Sequence, residues 1–507
     1  MLTYYQLFYG LILSSSQTLS SKTQLGFSGT EPRKIAVIGG GVAGSTIALR
    51  LAELGLDVTL FEQGPSLVNG PPICHLHAGG SFYREITDEQ CLTLLNQSID
   101  MMRVFPQAVN VRPTVIAVPI ADSGSPFDIL PRLKKLQKNY ADLITVQPDK
   151  QVLGEPADYY CTFERSELEA LAQKDLPEQI TDNSDWLIPL AKHLDLDSVK
   201  YPLILVQEYG LSGFRFSATV SLAAQQMPNC QVKLNSKLVA LSEQAGSKHW
   251  QLTIENQTNL TQEVLSFDYL INACGFRTGL LDNMLKAPRQ RLVEFKAAYV
   301  AHWQHCQGHW PEVLFHGERG TPNGMAQLTP YPNGYFQLHG MTQDITLFKD
   351  GLVSSNAQTA QPELPSLYID KIDKGWPEPV VKQRTQGAIQ HVAKFLQAFS
   401  SARPAANPLF GAQQIPGDDP KLRTSDVSFY GDFYARTEIV KAPSALQAAD
   451  TILQNLIAGG VIQQPISAHI NQHYFPKTQS IDLKNVVELA CKIAEQRGYP
   501  QDLALKI

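Results

Sequence analysis

The chain has 507 residues, is 43% hydrophobic and 18% charged, and carries a net charge of −6. That length exceeds what one hydrophobic core serves and implies at least two interwoven globular domains. The acidic balance, with a pI of about 6.1, excludes the basic face that a nucleic-acid binder needs.

Residues 1–33 open with MLTYYQLFYGLILSSS, and the first lysine is Lys22. A secretory signal has a basic segment before its apolar run, and a bilayer span needs about twenty apolar residues. We read 1–33 as a disordered extension. The alternative is a weak signal or a surface anchor, which would make the chain peripheral to the inner membrane. Seven cysteines without a Cys-x-x-Cys pair read as reduced thiols and a cytoplasmic chain.

KIAVIGGGVAGSTIALRLAELGLDVTLFEQG (34–64) holds the most specific pattern. A β-branched run ends at Gly39-x-Gly41-x-x-Gly44, which opens an apolar-faced helix, and a second strand ends at Glu62. Gly39 suits the tight turn. Gly41 lets a pyrophosphate approach the backbone and the free N–H groups at the helix start, beside Val42 and Ala43. Gly44 allows close helix–strand packing. Glu62, followed by Gln63, can accept from a ribose 2′-OH and would repel a 2′-phosphate. With strand, helix, second strand and acid in register, the pattern identifies a dinucleotide site.

A one-domain NAD fold would complete its sheet within about a hundred residues. Here the next pattern is delayed. GFRFSATVSLAAQQMPNC (213–230) reads as a helix, and 231–257 as alternating antiparallel strands. FDYLINACGFRTGLL (267–281) repeats the strand-then-glycine arrangement at Gly275. A third return spans 410–450, with a helix starting near Pro443.

This interrupted arrangement resembles the D-amino-acid-oxidase-like superfamily of FAD oxidoreductases over residues 34–455. The superfamily includes glycine and sarcosine oxidases, dimethylglycine dehydrogenase, glycerol-3-phosphate dehydrogenase and L-2-hydroxyglutarate oxidase. The resemblance implies an α/β fold: a Rossmann-like FAD-binding domain interleaved with an α+β substrate domain built on an antiparallel sheet. It places FAD segments at 34–110, 208–284 and 406–455 and substrate-domain segments at 111–207 and 285–405. Beyond the resemblance, 456–507 reads as a helical tail, with a terminal helix over 481–497 packed on the FAD domain.

In the superfamily the stretch after the ribose-binding acid runs under the flavin. HLHAGG resembles it at His77-Ala78-Gly79-Gly80, with glycines that let the backbone pass the ring. For His77 three readings stand open: flavin contact without a bond, a covalent link, or a loop histidine. Arg84 reads equally as a ligand to pyrophosphate or substrate and as a solvated side chain. Lys441, with Pro443 and Ser444 starting a capped helix, would set a cation and a helix dipole near the flavin N1–C2=O edge. A solvated lysine beside a surface helix is the alternative.

MAQLTPYPNGYFQLHGMT reads as a hairpin turning at Pro332–Gly334. Tyr331, Tyr335, His339 and Thr342 are candidates to face substrate, with Tyr335 or His339 as base or donor. Alternation puts Phe336 and Leu338 on the opposite face. Relatives that oxidise amino acids often carry a carboxylate-clamping arginine where this chain has Gln413 and Gln414. Arg423, Arg436 and Arg277 are the substitutes, and spacing does not choose among them. The histidines of HWQHCQGHWPEVLFH (302–316) lack paired zinc-ligand spacing, so no metal is expected.

The expected function is FAD-dependent oxidation of a C–N or C–OH bond in a small polar substrate. A hydride would go to flavin N5, and electrons on to oxygen or a quinone. An NAD-dependent dehydrogenase and a non-catalytic flavin-binding protein are the rivals.

Overall fold

Ile35–Ile38 is an apolar run without polar alternation, as in strands covered on both faces, and all four side chains are buried. The computed structural model describes residues 33–68, the backbone of 75–77, residue 84, and residues 86–243, 249–462, 473 and 475–507. Lys34–Ile38 lies inside a six-stranded sheet. The order is 426–429, 434–438, 269–272, 34–38, 57–61 and 230–233. All neighbours are parallel except the edge strand 426–429.

From the strand Lys34–Ile38 the chain moves to Asp57–Phe61 on one side and much later to Tyr269–Asn272 on the other. Such a reversal opens a crevice at the carboxyl ends of the strands. Gly39, Glu62 and Ala273–Gly275 all follow strand ends there. The helix Val42–Glu53 is buried over Ala43–Ala52 and packs against Ala445–Ala458, with buried Arg50 donating to Asp450 at 3.0 Å. A three-stranded antiparallel meander, 236–243, 250–256 and 262–267, bridges the strands Cys230–Lys233 and Tyr269–Asn272.

The larger sheet runs 352–354, 291–302, 335–340, 326–330, 312–315, 114–119, 199–206 and 160–163. Its pairs are antiparallel except that Glu312–Phe315 runs parallel to residues of Thr114–Pro119. Leu409–Pro416, read from sequence within the third FAD segment, pairs along Arg291–Ala298 of this sheet. Cross-strand pairing there is decided by long-range partners that a local pattern does not contain. One face of the sheet, with Phe336 and Leu338, joins an apolar core that includes Trp303, Trp310 and Phe399.

A small fourth sheet places His75–His77 antiparallel to Gly210–Ser212, the strand that leads into the helix Gly213–Gln225. The two large sheets are joined by a buried ionic network. Arg291 donates to Glu438 at 2.6 Å and to Asp282 at 2.5 Å, and all three side chains are fully buried.

Candidate functional site

The crevice at the strand ends is a cleft of about 1200 Å³ whose lining includes Gly39, Gly41, Val42, Ala43, Glu62, Gln63 and Gly275. Each glycine has its own steric reason. Gly39 has φ +101°, and a Cβ there would lie 2.4 Å from Ala273 O. At Gly44 a Cβ would lie 1.8 Å from Gly39 O, so the helix and the first turn meet backbone to backbone. Gly41 is different: a Cβ there meets nothing within 4 Å, because the position opens into the cleft. Gly41 precedes the helix Val42–Glu53 with no side-chain cap, which leaves the first N–H groups and the positive dipole end for an anion. Gly275, at φ +59°, also opens into free space.

Glu62 is held in place by the backbone. One carboxylate oxygen accepts from Gly40 N–H and the other from Gly64 N–H, each at 2.7 Å. Burial raises its pKa above the usual carboxylate value, opposed by those two N–H groups and by Arg497 and Arg277.

Where the cleft meets the large sheet, Gln413 and Gln414 line it. Gln413 Oε1 accepts from Lys296 Nζ at 2.9 Å, and its Nε2 donates to Val440 O at 2.7 Å, next to Lys441. Lys296 also pairs with Glu294 at 2.6 Å, and Arg319 bonds the other Glu294 oxygen. Burial pushes the Lys296 amine down to about 8 against the pull of Glu294. For Glu294, burial acts upward, but Lys296 and Arg319 outweigh it and hold the carboxyl below its ordinary value. Burial, with Arg423 adding repulsion, pushes Lys441 down to about 7. Glu294 and Arg319 also line a second cleft of about 1140 Å³, beside Lys371, Arg384 and Pro420. Lys296 therefore joins side chains of both clefts.

The three arginines considered as carboxylate clamps separate clearly. Arg436 sits in the buried ionic network, 3.4 Å from Asp282. Arg277 lines the cleft but pairs with Asp373 at 2.6 Å. Arg423 alone acts electrostatically on both Lys296 and Lys441. Arg84 pairs with Asp122 at 2.6 Å.

Ser444 does not cap a helix with its side chain. Its hydroxyl donates to Gln97 Oε1 at 2.8 Å, because a 3-10 turn, Ala442–Ser444, precedes the helix Ala445–Ala458. In the hairpin, Gln337 and His339 hydrogen-bond at 3.0 Å. Tyr335 packs its ring on His302, with centroids 4.6 Å apart. Neither His339 nor Tyr335 lines either cleft. Ala78, Gly79, Gly80 and the His77 side chain lie outside the described residues. His302 and His309 bond loop carbonyls, and among the described residues no three His, Cys, Asp or Glu side chains converge as metal ligands.

Residues 34–152 match the family model described as DAO, FAD dependent oxidoreductase. Over these residues the chain is similar to FAD-dependent oxidoreductases. FAD is its cofactor, and its fold is that of known FAD oxidoreductases. The L-amino acid deaminase from Proteus vulgaris superposes with a TM-score of 0.54 at 12% identity, covering 93% of this chain and 99% of that one. Glycerol-3-phosphate dehydrogenase from Bacillus halodurans, complexed with FAD, gives 0.51 at 12% identity, over 93% and 74%. Glycine oxidase from Geobacillus kaustophilus gives 0.50 at 11% identity, over 85% and 96%. No curated protein matches by sequence.

The cleft fits that cofactor. Its volume, about 1200 Å³, exceeds the roughly 300–1,000 Å³ of ordinary small-ligand pockets, as a dinucleotide requires. The open Cβ direction at Gly41 is the cradle that a pyrophosphate needs. Gly39, Gly41, Val42, Ala43, Glu62, Gln63 and Gly275 would hold the nucleotide, with Gly44 acting beneath them through packing. Sequence reasoning missed Lys296, although Glu294-x-Lys296 inside an apolar strand was a readable signal: two charges on one strand face imply a polar partner. It also missed Arg497, which carries no local signal.

Among the described residues, no helix is long and apolar enough to cross a membrane.

Proposed function

We propose that this chain oxidises a C–H bond beside an amine or hydroxyl of a small anionic substrate, presented at the Lys296–Gln413–Lys441 end of the cleft. The observation that carries this reading is the cation group there. Arg423 repels both Lys296 and Lys441, and Arg319 adds to the repulsion at Lys296, opposed by Glu294 at Lys296 and by Glu208 at Lys441. A carboxylate or phosphate would relieve that repulsion and gain charge-assisted hydrogen bonds. FAD, when bound, accepts the two electrons of such an oxidation as a hydride.

The chain's own groups bind, orient and move the proton. Gln413, which lines the cleft and is held at both ends of its amide, holds Lys296 behind it. Lys296, titrating near 8, can exchange a proton at working pH. Glu294 stands 2.6 Å from it and connects through Arg319 to the second cleft, which is the proposed approach for substrate. Oxygen or a quinone is the proposed acceptor.

A panel of amino acids, 2-hydroxy acids, a polyol phosphate and uncharged amines, scored anaerobically by bleaching of the bound flavin, tests the reading. Bleaching by one of the anionic classes is expected. Bleaching by uncharged amines alone would remove the proposed role of the cations, and no bleaching at all would favour a non-catalytic flavoprotein.

The pH dependence has a definite sign. Burial pushes Lys441 down to about 7 and Lys296 down to about 8, so the positive charge behind Gln413 at this end of the cleft falls as pH rises. KM for an anionic substrate is expected to rise about tenfold between about pH 6 and about pH 9. Lys441→Met should raise KM at the acidic end and flatten the lower part of this rise. A KM independent of pH in the parent would refute the assignment.

A further inference from the structure

The C-terminal tail reaches the nucleotide cleft. Its helix, Leu483–Gln496, is capped by Asp482, which accepts from Lys484 N–H at 2.8 Å. The helix packs on Gly213–Gln225, and its last residue Gln496 together with Arg497 and Tyr499 just beyond it line the cleft. Arg497 spreads its guanidinium over one loop. Nη1 donates to Val68 O at 2.9 Å, and Nη2 to Leu67 O at 2.7 Å and Ser66 Oγ at 2.8 Å. A 3.4 Å contact ties it to Ser217 Oγ on the neighbouring helix.

That loop is continuous with the nucleotide machinery. It starts at Gly64, whose N–H holds Glu62, and it closes where Val68 N–H donates to Gly40 O at 2.7 Å. Arg497 also contributes favourable charge at the Glu62 carboxylate. The rest of the tail has its own anchors. Gln107 donates to Gln479 O at 3.1 Å and Ile481 O at 2.9 Å, Glu53 accepts from Thr478 N–H at 2.8 Å, and Tyr499 donates to Pro408 O at 2.8 Å. Replacing Arg497 therefore removes its grip on the loop while the tail stays docked.

We propose that Arg497 is a positioning residue of the FAD site: the C-terminal tail completes the adenosine end of the cleft by fixing Ser66–Val68 and, through that loop, Glu62. This rests on the reading of the cleft as the FAD site. A guanidinium fork matches three acceptors on one loop in a way that an ammonium cannot, and supporting contacts of this kind set the precision of a binding site.

The test uses the full chain stripped of FAD, with calorimetric titration of FAD and, separately, of ADP, which carries only the adenosine end. Arg497→Met is expected to weaken both ligands about tenfold or more, and Arg497→Lys by a smaller factor, with the unfolding midpoint of the apoprotein little changed. Ser66→Ala with Ser217→Ala, which removes two hydroxyl partners and keeps the charge, should weaken both ligands about twofold to threefold. The proposal is overturned if Arg497→Met binds FAD and ADP as the parent does, or if it loses apoprotein stability while keeping affinity. A Met variant that does not fold leaves the lysine and double-serine variants to decide, and parental affinity in both overturns it. A parent that binds neither FAD nor ADP overturns the cleft reading along with the proposal. A parent that binds both, with loss in Gly41→Val but not in Arg497→Met, overturns the proposal alone.

Discussion

Gly41→Val is expected to yield a folded protein that holds no FAD. The residue sits at φ −68° and ψ −171°, a conformation open to any side chain. A Cβ there meets nothing within 4 Å. Folding stability should therefore change by no more than about 1 kcal/mol. The branched side chain would instead occupy the space through which a pyrophosphate reaches the helix N-terminus. FAD affinity should fall at least about a hundredfold, or about 3 kcal/mol. Flavin absorbance per chain and the thermal midpoint of the apoprotein separate the two effects. A variant that keeps a full complement of FAD would show that the pyrophosphate does not lie on this loop. Gly44 provides the contrast: its Cβ would lie 1.8 Å from Gly39 O, so Gly44→Val should fail in folding rather than in binding.

Arg291→Met is expected to have the largest effect on stability. Arg291 is fully buried and donates to Glu438, Asp282 and the carbonyl of Ala360. Asp282 further accepts from Tyr434 OH at 2.9 Å, and Tyr434 accepts from Asn272 at 2.7 Å. Glu438 ends a strand of the six-stranded sheet, Asp282 lies on the helix that follows Gly275, and Arg291 begins a strand of the larger sheet. Removing the cation leaves two buried carboxylates with fewer partners, although Arg289 still reaches Glu438 at 3.0 Å and Arg436 remains near Asp282. A loss of about 3–5 kcal/mol is expected, read as a lower denaturant midpoint. A loss below about 1 kcal/mol would mean that the remaining arginines absorb both charges.

These effects differ in how far they can be read before folding. Gly41 and Glu62 belong to a motif in which every residue acts within about thirty positions of the others. The turn Pro332–Gly334 and the separation of Phe336 and Leu338 from His339 follow from local turn chemistry and two-residue alternation. The helix Leu483–Gln496 is likewise visible, from the apolar spacing of 481–497. For Lys441 and Ser444, the sequence did not show the contacts. Ser444 turns to Gln97, far back in the chain, and Lys441 lies beside Gln413, which itself holds Lys296.

What the sequence by itself determined is the dinucleotide turn, the delayed return of the FAD fold and the resulting α/β class, because each rests on spacing within short segments. Only the tertiary structure decided which distant charges meet. Lys296, Gln413 and Lys441 come from two strands and the turn before a helix, and Arg497 reaches a loop more than four hundred residues earlier. A hydrophobic period specifies which face of an element is buried, but not which other element covers it. The partners of a buried charge are chosen when the sheets close, because an unpaired charge in that interior costs more than any local preference supplies.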